Sequence, residues 1–351
     1  MTIYTINLIM STAINYFSRK MNKRTAMIFL GISTLVVSLV AGLRYGVGTD
    51  YFEYVKWFHV YAAVPIKLKD GNISFNILIK TIKLFTNNPQ WLFFISAIII
   101  NSRIMIFIKE NTELYDVGFF LFITLYFYYS SLNIMRQWIA IAIFVSGLKY
   151  IFDQKLFKYI LMVSFATTFH PASLLMLPLY FIVNTRINIK KMMIIVFVSL
   201  LILAHLQNII IFIVVNFNLT SFRKYINYFD SYYATTQGGG WAYFVILFFV
   251  FLLMLVYKKS YMKHIKNGNA HYILMILALM ISLFAPQNMI FARIQLFFMP
   301  IILITLPNVI TILKPRYRIV LTMIVLLLGV LYMFRSLSNN AGHVLPYVSI
   351  F

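Results

Sequence analysis

The chain has no cysteine, and only 8 of its 351 residues are acidic. The first absence excludes disulfides and thiolate chemistry. Charged residues of either sign make up 11%, where a soluble domain carries about 25%. A soluble globular fold is therefore excluded. There is no Gly-x-x-x-x-Gly-Lys phosphate loop and no His/Asp/Glu cluster at metal-ligand spacing, so no metal and no cofactor is expected. The Asp-x-Asp pair used in metal-dependent glycosyl transfer is also missing. No basic tail or soluble basic module exists, so nucleic acid is not an expected partner.

What is present is apolar. Hydrophobic residues make up 62% and the mean hydropathy is +0.86. Several runs approach the ~20 residues that cross a bilayer. The expectation is an all-α polytopic membrane protein with about 10–12 transmembrane helices, one integral membrane domain over residues 1–351. The net charge of +22 comes from 30 Lys+Arg. Such an excess fits positive-inside loops and contact with anionic membrane lipid.

Charge also orders the chain. Thr2 to Phe17 is apolar, and Arg19, Lys20, Lys23 and Arg24 follow it. A signal peptide carries its charge before the apolar core, so this reads as a first membrane helix with its N-terminus outside. Helices are expected at about 26–43, 90–108, 117–131, 134–150, 192–215, 241–257, 271–285, 290–313 and 319–334. Residues 44–89 read as an extracytoplasmic loop with an interfacial helix near 73–85. Residues 216–240, with Arg223, Lys224 and Asp230, read as a second extracytoplasmic loop. Tyr159 to Val183 is long enough for one span, but proline disfavours helical geometry at the residue before it. His170-Pro171 is therefore read as the apex of a broken or re-entrant pair. With that break, 18 of the 30 Lys+Arg fall in six inner loops.

The break has a consequence for chemistry. It puts Arg44, Asp50, Arg136, His170 and Arg293 on one side. Arg44 opens a Gly-rich stretch, Arg44-Tyr45-Gly46-Val47-Gly48-Thr49-Asp50-Tyr51-Phe52-Glu53-Tyr54. Arginine offers a planar fork for phosphate oxygens. Asp50 reads as a general base or as a partner of Arg44. Tyr51 and Tyr54 read as sugar-stacking or as interfacial aromatics. Arg136, beside Gln137, begins a helix whose dipole opposes it, which suits recruitment of an anion as well as a snorkelling side chain. His170 reads as a phosphate or hydroxyl partner, or as a helix-break histidine bonded to backbone. Arg293, with Gln295, lies in an apolar span, where an ionisable residue is a functional candidate by default. Arg103, near an inner helix end, reads as structural, and Lys80, Lys83, Arg223 and Lys224 as candidate outer-face contacts.

Arg44 to Tyr51, Arg136-Gln137 with Ala140, Phe169-His170-Pro171-Ala172-Ser173 and the Arg293 region resemble the EpsG family, Wzy-like polymerases of bacterial exopolysaccharide, capsule or O-antigen. The resemblance implies a helical bundle similar to the GT-C type in the bacterial cytoplasmic membrane. It implies an active site facing outward and undecaprenyl-diphosphate-linked oligosaccharides as substrates. A chain-length regulator and a flippase of the same pathway are implied partners. Arg136, Arg293, Asp50 and His170 would then be catalytic, and Arg44, Tyr51, Tyr54, Gln137 and Gln295 substrate-binding. A flippase of lipid-linked oligosaccharide and a membrane O-acyltransferase remain as alternatives.

Overall fold

The computed structural model describes residues 1–63, 72–185, 188–216, 241–287, 289–340 and 342–351. The expected 216–240 loop lies outside these from 217 onward, as does the part of the 44–89 loop between 64 and 71. Among the described residues the fold is helical, and its one β contact is an isolated bridge between Arg44 and Ser349. Among the described residues five helices are long and apolar enough to cross a membrane, and a bent pair adds a sixth.

The elements, in order, are α1 (Thr2–Ser18), α2 (Lys23–Gly42), α3 (Tyr51–Ala63), α4 (Ile73–Lys83), α5 (Gln90–Asn111), α6 (Tyr115–Thr124), α7 (Phe127–Asn133), α8 (Met135–Phe152) and α9 (Leu156–Thr167). There follow α10 (Leu179–Val183), α11 (Ile189–Ala204), α12 (Leu206–Asn216), α13 (Ala242–Val256), α14 (Lys258–His264), α15 (Gly268–Phe284), α16 (Met289–Phe298), α17 (Ile302–Ile312) and α18 (Pro315–Asn339). Helices α1, α2, α5, α8 and α9 pack in sequence as neighbours, and α6, α17 and α18 close the other side.

Two of the expected single helices are broken. The 117–131 run splits into α6 and α7 at Tyr126, whose φ of 70° is left-handed. The 192–215 run splits into α11 and α12. The expected 241–257 helix is α13, unbroken, and beyond it the chain bends by 83° into α14. The break at His170 falls where proline dictates. His170 is extended, at φ −150° and ψ 118°, and caps a 3-10 turn over Pro171–Met176. With 12 residues, α9 is about 18 Å long at 1.5 Å per residue, well short of a ~30 Å hydrocarbon core.

Apolar packing between helices gains little in lipid, so polar contacts and small residues hold such bundles together. The buried face of α1 carries Asn7, Ser11, Asn15 and Ser18, about one turn apart. Ser33 on α2 donates to the Ser11 carbonyl at 3.4 Å, and Ser18 donates to the Ala26 carbonyl at 3.1 Å. Gly42 permits the close crossing of α2 and α5, because a Cβ there would meet the Phe94 side chain at 2.5 Å. By contrast α18 is only 17% buried over its apolar window and shows the lipid a row of aliphatic side chains.

Candidate active site

The Gly-rich loop between α2 and α3 is held by Arg44, the most buried cation of the motif at 1% exposure. Its Nε donates to the Val47 carbonyl at 3.2 Å, Nη1 to Ala41 at 2.5 Å and Nη2 to Leu132 at 2.8 Å. Ala41 and Leu132 are in the last turns of α2 and α7, where helix dipoles present negative ends. The Phe93 ring covers the guanidinium at 4.7 Å. Gln90, at the start of α5, donates to the Gly42 and Arg44 carbonyls and accepts from the Tyr51 hydroxyl at 3.1 Å. The phosphate contact expected at Arg44 therefore meets a guanidinium committed to backbone carbonyls. The alternative reading of Asp50 as an ion-pair partner of Arg44 is not met among the described residues either.

This clamp has a measurable cost of removal. Arg44→Lys keeps the charge, but one ammonium cannot reach three divergent carbonyls. Losing two charge-assisted bonds at about 1.5 kcal/mol each is expected to destabilise the protein by about 3 kcal/mol. Thermal unfolding of purified protein in detergent measures it; an unchanged midpoint would reject the clamp.

The loop is also pinned by the C-terminal segment. The amides of Tyr45 and Gly48 donate to the Val348 and His343 carbonyls, both at 2.8 Å. Asn133 at the end of α7 donates to the Gly342 carbonyl at 2.9 Å and accepts from the Thr49 hydroxyl at 3.2 Å. Gly48 takes a φ of +101°, and a Cβ there would lie 2.6 Å from the Asn133 amide oxygen. Glycine is required on both counts.

Asp50 follows this pinned turn. Burial pushes its carboxyl above the ordinary aspartate range, and the Thr49 hydroxyl and then the Arg293 and Arg136 guanidinium groups pull it partly back. Both arginines thus act on one half-buried carboxylate. Among the described residues neither arginine is in an ion pair; the pairs there are Arg19–Asp116 and Lys155–Asp153.

Arg136 and Arg293 come from different parts of the chain. Arg136, in the first turn of α8, lies over the Trp57 ring at 4.3 Å and near Phe75 at 5.9 Å. Its backbone amide donates to the Tyr54 hydroxyl at 3.4 Å. Gln137 then reaches across to α16, donating to the Arg293 carbonyl at 2.6 Å. That bond ties the two helix starts together and sets both arginines at one end of the bundle. His170 is brought to the same end through α4. The Ser74 and Thr168 hydroxyls lie 2.6 Å apart, and the Ser74 amide donates to the Thr168 carbonyl at 3.2 Å. The next residue of α4 is Phe75, near Arg136.

Other expected ligand contacts are turned inward. Tyr51, 3% exposed, stacks on Phe93 at 4.5 Å, and Tyr54, 2% exposed, packs edge-on against Trp57. The exposed aromatics of the motif are Tyr45 at 53% and Phe52 at 61%. Gln295 is buried and donates to the Ser282 hydroxyl at 2.7 Å, joining α16 to α15. Among the described residues no three His, Asp or Glu side chains come together as a metal site.

Asp50, Arg136 and Arg293 thus gather at one end of a membrane bundle. The sequence profile of the EpsG family matches residues 27–349, nearly the whole chain. The chain belongs to the EpsG family. EpsG-family proteins are Wzy-like polysaccharide polymerases. No curated protein and no solved structure matches this one. The match contains all the EpsG motif residues from Arg44 to Arg293, together with the C-terminal segment that pins the loop. A glycosyltransferase-type role in polysaccharide synthesis follows for this EpsG-family member in general terms.

Proposed function

We propose that the protein transfers a growing glycan from undecaprenyl diphosphate to a lipid-linked repeat unit on the outer face of the bacterial cytoplasmic membrane, without a metal. The observation that carries this is that Arg136 and Arg293, joined through the bond from Gln137 to the Arg293 carbonyl, lie at the same end of the bundle as Asp50, with neither cation consumed by an ion pair among the described residues. When the sugar–phosphate bond breaks, negative charge grows on the diphosphate leaving group. Fixed cations in a half-buried setting stabilise that growing charge. Asp50 then takes the proton from the acceptor hydroxyl as the new glycosidic bond forms, with His170 the second candidate for that step. Tyr45 and Phe52 are the exposed rings available to sugar faces. Arg44, Tyr51 and Gln90 hold the loop from behind. The outward orientation rests on the basic loops at the opposite end of the bundle.

Analysis of lipid-linked glycans in a deletion strain tests this. Single repeat units are expected to accumulate on the outer face. Accumulation on the inner face would instead favour a flippase, and polymer of normal length lacking acyl groups an O-acyltransferase.

A further inference from the structure

A cavity lies far from Asp50 and the two arginines, at the end of the bundle that carries the basic loops. It is a trough of about 660 Å³ on the outer surface of the bundle, between α1, α6 and α18. Its walls are Leu8, Thr12, Phe120, Met323, Leu326 and Val330, and its mouth holds Arg19, Asp116 and Arg318.

The dimensions and charge of the trough identify its occupant. From Arg318 to Val330 along α18 the rise is about 18 Å at 1.5 Å per residue. The hydrocarbon core is about 30 Å thick, so one leaflet is about 15 Å deep. The trough is thus one leaflet deep, apolar along its length and cationic at the headgroup level. Arg19 is paired with Asp116 at 3.2 Å. Among the described residues Arg318 faces no acid within ion-pair distance, and its guanidinium donates to the Thr311 carbonyl alone. The other donors of its guanidinium are left for an anion.

We propose that this trough binds one anionic glycerophospholipid of the inner leaflet, an acyl chain lying along α18 and the phosphate held by Arg318. A zwitterionic lipid would fill the same walls but gain less at the mouth. A second copy of the chain docking through α18 would exclude lipid altogether.

The full-length protein is tested in detergent with equimolar phosphatidylglycerol and phosphatidylcholine of identical chains, retained lipid being read by native mass spectrometry. The native chain is expected to prefer phosphatidylglycerol about fivefold, the effect of one basic residue near a headgroup. Arg318→Gln is expected to bring the ratio near one at an unchanged melting temperature. Thr322→Trp, which fills the trough, is expected to lose both lipids. Arg316→Gln, a neighbouring charge that does not line the trough, is expected to leave the ratio unchanged. Equal retention by the native chain, no response to Arg318→Gln, an equal response to Arg316→Gln, or a lipid-free dimer would each overturn the proposal. Should Thr322→Trp not fold, the two arginine variants decide the matter.

Discussion

Arg136→Ala and Arg293→Ala are each expected to lower polymer synthesis by about 10²–10³-fold, the usual cost of removing one preorganised group that stabilises transition-state charge. The argument rests on what each arginine is not doing. Neither is paired with an acid among the described residues, and neither is buried like Arg44. Stacking on Trp57 fixes the plane of the Arg136 guanidinium, which favours two-pronged contact with phosphate oxygens. Arg136→Lys is therefore expected to recover only part of the activity, because an ammonium supplies the charge without the fork. At Arg293 no ring stack among the described residues fixes the plane, so lysine is expected to recover more there. The double alanine variant is expected to cost less than the product of the two single effects, since both groups serve one leaving group. Long-chain polymer on gels, normalised to protein level in membranes, measures all four variants. Undiminished polymer in both alanine variants at normal protein level would remove the diphosphate role from these residues.

The sequence showed the positions of the spans and of the break more clearly than the duties of the motif residues. Span positions follow from run length and hydropathy, which a bilayer enforces directly. His170-Pro171 was legible because proline restricts its predecessor locally. Arg44 was not, because a motif arginine looks the same whether it faces a ligand or two helix ends. That difference is made by Leu132, 88 residues away. Tyr51 and Tyr54 exchanged places with Tyr45 and Phe52 for a similar reason. Helix α3 begins at Tyr51, and its register turns Tyr51 and Tyr54 inward on the same face, one turn apart. Trp57 was passed over, although it lies three residues beyond Tyr54 and so near that face. The C-terminal segment left no signal, since it pairs with the loop through backbone atoms.

Asp50→Asn is expected to cost about 10²–10⁴-fold, the range for loss of a positioned general base. The pH profile separates Asp50 from His170. Burial raises the Asp50 carboxyl above the free aspartate value of about 3.9. A raised carboxyl stays protonated to higher pH, and only the deprotonated form can accept a proton. Activity is therefore expected to rise with pH along an acid limb above the ordinary aspartate range. The limb depends on substrate in a definite direction. A bound diphosphate adds negative charge near Asp50 and occupies the arginines that lower it, so its carboxyl rises further in the complex. The limb of kcat, which reports the complex, is then expected to lie above the limb of kcat/KM, which reports the free protein. His170→Gln should leave both limbs in place if Asp50 is the base. If Asp50→Asn instead retains the limb and His170→Gln removes it, the proton is taken by His170, and Asp50 serves to hold the two arginines apart before substrate arrives.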